Sequence, residues 1–167
     1  QVVFSPNGNQ LATASKDDTV RLWESATGKE LVVFRHEDDV DRVLFSSDGL
    51  RLASASRDHA VWLWDSTSGE KLARLQHDGY VRVFDFSPDG SRLATGSEDD
   101  KAFLVDATNG KELIRLQHED DVLRIVFSPG SSRLVTLSGL WKGNIRLWDS
   151  ASGKQLAHIP LEDTVAA

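Results

Sequence analysis

Three histidines, His36, His77 and His118, stand 41 residues apart, and serines keep the same interval at Ser15, Ser56, Ser97 and Ser138. An imidazole beside a hydroxyl and a carboxylate is the equipment of a hydrolytic triad, in which the base takes the hydroxyl proton and the acid orients the base. A triad occurs once in a hydrolase, whereas this arrangement recurs along the chain. Three equivalent histidines therefore read as structural. When buried, such groups satisfy one another, each bond giving about 1 kcal/mol net and costing more if left half made.

Metal chemistry fares no better. The runs Glu37-Asp38-Asp39, Asp99-Asp100 and Glu119-Asp120-Asp121 are dense in carboxylates, but a calcium loop needs alternating oxygen ligands, a turn glycine and a distal Glu. None has that spacing, so they read as solvated acidic loops. His59 and His158 lie outside the repeated position and have no ligand partner at a recognisable spacing. The chain contains no cysteine, which removes thiolate catalysis and every Cys-based zinc or iron–sulfur site. The glycines sit singly, so no phosphate cradle is present. No cofactor, no metal and no enzyme activity is expected.

The elements that position these residues follow from the repeat. Phe4, Phe45, Phe86 and Phe127 are 41 apart, as are Leu11, Leu52, Leu93 and Leu134, and an insertion of two residues falls within Ser138–Trp148. Each copy reads as four short strands. In the second they are Val40–Phe45, Leu52–Ser56, Ala60–Trp64 and Lys71–Leu75, divided by Ser46-Ser47-Asp48-Gly49, Arg57-Asp58-His59 and Ser66-Thr67-Ser68-Gly69. Such runs, bounded by Gly, Pro, Asn, Asp and Ser, argue an all-β chain. A four-stranded unit with this period predicts a blade of a β-propeller of antiparallel sheets. The blades fall at about 1–35, 36–76, 77–117 and 118–160 within a single unit over 1–167, leaving 161–167 as half a strand of a next blade.

The runs VRLWE at Val20–Glu24, VWLWD at Val61–Asp65 and IRLWD at Ile145–Asp149, with the turn SPDG, resemble the WD-repeat family across the whole chain. The Gly-His pair of that family is replaced by Arg-His at His36 and Gln-His at His77 and His118. The resemblance implies a buried set of a loop His, a second-strand Ser or Thr, a turn Asp and a third-strand Trp. Carried over, the second blade is complete with His36, Ser54 or Ser56, Asp58 and Trp64, which would make it the most stable local unit. The first has Asp17 and Trp23 without a His. The third has His77 and Asp99, with Val105 at the Trp position. The fourth has His118 and Trp148, with Lys142 or a neighbour in place of Asp.

The resemblance also implies a non-catalytic scaffold that binds a protein or peptide at one rim. The positions it marks are Asp39 and Asp41, Tyr80 and Arg82, Asp121 and Leu123, with Lys16, Arg57 and Glu98. Trp141, in the inserted Gly139–Gly143 segment, is either a contact residue or a cover for the missing Asp. A net charge of −7 argues against duplex nucleic acid, whose phosphates an acidic surface repels. Apolar runs are too short for a membrane span, and a cytoplasmic location is expected.

The last question is closure. Val165 aligns with Val122 and Ala167 with Arg124, while Gln1-Val2-Val3-Phe4 aligns with Arg124–Phe127. The chain reads as cut within an innermost strand, and its opening at Gln1 without Met as a processed, truncated or engineered start. Four blades closing alone, two chains forming an eight-bladed homodimer, and a piece of a longer propeller are the alternatives. The resemblance implies wedge-shaped blades, which favour the homodimer or a fragment behaving as one. The competing function is purely architectural: a self-assembling fragment, natural or engineered, with no ligand of its own.

Overall fold

A computed structural model of the chain describes residues 1–162. The expected half-strand around Val165 and Ala167 lies outside the described residues. The described chain forms four sheets of four antiparallel strands, and each sheet follows sequence order. Blade 1 holds β1 (Val2–Phe4), β2 (Gln10–Ala14), β3 (Thr19–Glu24) and β4 (Glu30–Arg35). Blade 2 holds β5 (Val40–Phe45), β6 (Arg51–Ser56), β7 (Ala60–Asp65) and β8 (Lys71–Gln76). Blade 3 holds β9 (Val81–Phe86), β10 (Arg92–Ser97), β11 (Lys101–Asp106) and β12 (Glu112–Gln117). Blade 4 holds β13 (Val122–Phe127), β14 (Arg133–Ser138), β15 (Asn144–Asp149) and β16 (Gln155–Pro160). The architecture is all-β and propeller-like, and no helix is long and apolar enough to cross a membrane.

The turns are built by short polar side chains that mimic backbone. In β5–β6, Ser46 Oγ donates to Asp48 Oδ1 at 2.5 Å and the same carboxylate oxygen accepts from Leu50 N at 2.9 Å, so the chain folds back within four residues. Gly49 closes that turn at φ 72, as Gly8 and Gly90 do in theirs. In blade 4 the phrase is SPGS, and Ser131 takes the left-handed position at φ 57. Its hydroxyl accepts from Asp89 N of the preceding blade at 3.1 Å, a contact that no glycine can make.

The two faces of each sheet are apolar, so each blade is covered only by its neighbours. Successive residues of the innermost strands point alternately backward and forward around the arc. Val43, Phe84 and Ile125 face the preceding blade and are buried, while Val3 and Leu44 pack toward the following one. The three core clusters lie between blades 1 and 2, 2 and 3, and 3 and 4. Contact between blades is tightest at the outer turns. A Cβ built on Gly110 would lie 2.1 Å from Ala73 Cβ, and one on Gly69 would lie 2.6 Å from Val32 Cγ1. Glycine is required there on both counts, close approach and positive φ.

Among the described residues no core cluster joins blade 4 to blade 1. Val2 occupies the repeat position of Val43, Phe84 and Ile125 yet is 63% exposed, and Phe4 is 65% exposed where Phe86 and Phe127 are buried. At the other end Ile159 stands where Phe34, Leu75 and Leu116 are buried, and is 53% exposed. Over the described residues, the two end blades each leave uncovered the positions that every internal seam buries.

The β-turn between second and third strands carries a left-handed non-glycine residue in three blades: Asp18, His59 and Asp100, all with φ near 63. A Cβ there costs roughly 1 kcal/mol or more, partly offset by the larger unfolded-state entropy of glycine. His59→Gly is therefore expected to raise stability by about 0.5 kcal/mol. A higher urea midpoint at unchanged slope is the readout, and a lower one refutes the account.

Candidate functional site: the bulged rim and the buried histidines

A register shift marks the start of each complete inner strand. Val40 pairs with Ser56 and Arg42 with Ala55, leaving Asp41 as the extra residue; Arg82 and Leu123 are extra in the same way in blades 3 and 4. A bulge re-aims its side chain out of the sheet's alternation. The backbone thus turns Asp41, Arg82 and Leu123, three of the rim positions implied by the resemblance, out of register with the core.

Around them the structure ties several rim residues into one network spanning blades 2 and 3. Arg57 reaches Asp39 Oδ2 at 3.3 Å and Asp41 Oδ2 at 3.2 Å, and its backbone N–H donates to Asp39 O. The Tyr80 hydroxyl donates to Asp41 Oδ2 at 2.8 Å. Arg82 pairs with Glu98 at 2.5 Å and lies 5.8 Å from the Tyr80 ring centre. Burial and the bond to Asp41 push the Tyr80 phenol above its ordinary value. Lys16, Asp121, Leu123 and Trp141 stand outside this network. Lys16 is exposed, and Leu123 lines a cavity described below. Asp121 accepts Gly139 N through its carbonyl, and its carboxyl is raised by burial first and then by Glu98 and Asp120.

Trp141 is 80% exposed. It does not cover the gap left by the missing Asp of blade 4. The five-residue segment Gly139–Gly143 loops outward from Gly139, whose φ is 83, and takes the indole into solvent.

The carboxylate runs behave differently from their sequence spacing. Turn and loop residues converge, so that Asp18, Asp38 and Asp39, and likewise Asp100, Asp120 and Asp121, bring ligand oxygens within 4.8 Å of one another. Linear spacing missed these groups because each joins one strand–strand turn to the loop entering the next blade.

Below the rim lie the histidines, and here the set is assembled differently from the carry-over. His36 Nε2 meets Ser54 Oγ at 2.9 Å, and Trp64 Nε1 donates to that oxygen at 2.8 Å. Ser56 is not part of this bond: its hydroxyl donates to the carbonyl of Asp38. Asp58 does not reach His36 either. It accepts from Trp62 Nε1 at 3.3 Å and pairs with Arg74, and His36 Nδ1 is buried without a partner. The second blade is thus not the complete one. Trp62, edge-on to the His36 ring at 5.3 Å between ring centres, takes the carboxylate instead.

The full line occurs in blade 3. Asp99 Oδ2 lies 3.1 Å from His77 Nδ1, and His77 Nε2 lies 2.8 Å from Thr95 Oγ1. A carboxylate on Nδ1 fixes that nitrogen as the donor, so Nε2 accepts the threonine proton. Phe103, at the position of Trp62, has no N–H to compete and stacks on the imidazole at 4.2 Å. In blade 4, His118 and Trp148 share Thr136 Oγ1 at 2.8 and 2.9 Å, and His118 Nδ1 has no partner. In blade 1, Trp23 donates to Thr13 Oγ1 at 3.0 Å, and Asp17 is exposed rather than buried, held by Thr19 and Arg21.

The line Asp99–His77–Thr95 has triad geometry, but Thr95 is 0% exposed and His77 2%. No substrate carbonyl reaches that hydroxyl. Its chemistry is cohesion.

Four segments, 1–24, 28–65, 69–106 and 110–149, match the family model described as WD domain, G-beta repeat. The chain belongs to the WD40 family. No curated protein matches it. Among solved structures it is similar to the crystal structure of the computationally designed Ika8 protein, at 24% identity and a TM-score of 0.84. That likeness covers 98% of this chain and 50% of the other, so the chain spans half the length of the designed protein. WD40 repeats generally mediate protein interactions and are generally not enzymes.

Burial dominates the titration of the WD40 histidines: it pushes His36 and His118 down to about 4, and lowers His77 against the pull of Asp99. In the unfolded chain an imidazole titrates near 6.5. Between these values only the unfolded state takes up protons, so stability is complete above about pH 6.5 and falls as pH drops toward 4. Each of His36 and His118 is expected to remove on the order of 3 kcal/mol across that window. Urea midpoints measured from pH 7.5 to 4.5 read the slope, and His118→Gln is expected to reduce it by nearly one proton. An unchanged slope refutes the assignment.

Proposed function

We propose that this WD40 chain is a non-catalytic interaction scaffold that presents its bulged rim to a protein or peptide. The observation that carries the reading is the network of Asp39, Asp41, Arg57, Tyr80, Arg82 and Glu98, aimed by the bulges at Asp41 and Arg82. Tyrosine and arginine are the types that anchor interfaces, and here they are already held in place, which lowers the entropy lost on binding. Leu123, Lys16 and Asp121 extend the same rim, and Trp141 offers an apolar contact at its edge. The four blades act as one unit over 1–167.

A second copy completes the ring to eight blades. The reading is supported by the exposed end faces, with Val2 and Phe4 on one and Ile159 on the other, which repeat the positions buried at every internal seam. The likeness to half of a chain about twice as long fits an arc of that curvature. The seam is heterologous, the trailing face of blade 4 against the leading face of blade 1, and two such seams close about a two-fold axis. A purely architectural role, assembly without a ligand, draws on the same faces.

Two measurements separate these statements. Sedimentation equilibrium at micromolar concentration is expected to return twice the chain mass, and Ile159→Asp is expected to return one chain mass; a wild-type monomer at all concentrations overturns the ring. Peptides selected from a displayed library on the wild-type chain are expected to lose at least about ten-fold in affinity for the triple variant Arg57→Ala, Tyr80→Phe, Arg82→Ala. Unchanged affinity moves recognition off the rim, and a library yielding no binder favours the architectural role.

A further inference from the structure

Directly below the bulges, one repeat position is held by Gln1, Arg42, Val83 and Arg124. Arg42, Val83 and Arg124, with Leu123, Ile125 and Val126, line a cavity of about 280 Å³ on the inner strands. Two arginines and four apolar residues therefore border one recess.

The charge balance of these arginines is unusual for the chain. Of its twelve arginines, eight pair with carboxylates: Arg21, Arg51, Arg57, Arg74, Arg82, Arg115, Arg133 and Arg146. Neither Arg42 nor Arg124 has a carboxylate within salt-bridge distance among the described residues, although acidic side chains outnumber basic ones 26 to 19. Arg42 is nonetheless fixed. Its Nη1 donates to the carbonyl of Arg82 at 3.3 Å and its guanidinium lies 5.3 Å from the Phe84 ring centre, which leaves its other N–H groups uncommitted. Burial raises the carboxyl of Asp85 while Arg42 lowers it, and the two form no salt bridge.

We propose that this cavity binds a small organic anion through phosphate or carboxylate oxygens, gripped by Arg42 and Arg124, with its carbon skeleton beside Val83 and Leu123. A guanidinium presents paired donors in the plane that matches such oxygens. A held arginine loses less freedom on binding than a free one. The volume suits a molecule of several carbons rather than a single ion. The site adjoins the rim, sharing Leu123 with it and holding Arg42 on the carbonyl of Arg82.

Arg124 lies on the innermost strand of blade 4, the blade whose trailing side has no described neighbour, so the test separates a ligand role from a seam role. Calorimetric titration of the wild-type chain with pyrophosphate and, separately, with glutarate, both at matched ionic strength, is expected to give saturable binding of at least one. Pyrophosphate alone assigns phosphate ligands, glutarate alone assigns dicarboxylates, and both assign the shared anion chemistry. Arg124→Gln is expected to weaken that binding at least about ten-fold while leaving the sedimenting mass unchanged, and Arg35→Gln, on an exposed arginine outside the cavity, to leave the affinity as in wild type. Absence of saturable binding, or equal affinity in Arg124→Gln, overturns the proposal. A shift of the sedimenting mass in Arg124→Gln without a change in anion affinity makes Arg124 a seam residue instead.

Discussion

A four-stranded sheet with apolar side chains on both faces cannot stand in water, and this constraint organises everything else in the molecule. Each blade buries one face on the blade before it and the other on the blade after it. At roughly 25 cal/mol per Å² of apolar area, this mutual cover rather than the hairpins themselves supplies the stabilisation. Turn glycines such as Gly110 are set by it, because the outer turn of one blade must touch the outer strand of its neighbour. So are the ends of the arc, where the same positions go uncovered.

Beneath the rim, cohesion comes from polar pieces that differ blade by blade. Blade 3 joins carboxylate, imidazole and hydroxyl in one line, while blades 2 and 4 join tryptophan, hydroxyl and imidazole and leave an imidazole nitrogen unpaired. A single position on the third strand decides the outcome. Trp62 carries an N–H and captures Asp58; Phe103 carries none, and Asp99 stays with His77. At the same position in blade 4, Arg146 instead bridges Gln117 O and Glu119.

Sheet order and blade number, and strand bounds to within one residue in the second blade, were legible in the sequence because hydrophobic periodicity and turn residues repeat four times, so chance errors in one copy are corrected by the others. The rim positions came through resemblance, and the bulges at Asp41, Arg82 and Leu123 give them a physical cause that no spacing reveals. What stayed hidden depends on side-chain competition across the chain. Whether Asp58 turns to His36 or Trp62 is settled by ring contacts, not by residue type. The convergence of Asp100 with Asp120 and Asp121 depends on how a loop enters the next blade, and the outward path of Trp141 on a segment two residues longer than its counterparts.

The strand order has a kinetic meaning as well. Every sheet pairs only strands that follow one another in the chain, from β1 with β2 through β15 with β16, and each described seam joins successive blades. No described contact set requires distant stretches to meet before nearer ones have formed, so loop-closure entropy is met in small instalments. Folding can start in any blade and spread to either side, as in other one-dimensional arrays. The pause in such a chain comes at the last edge left without a neighbour.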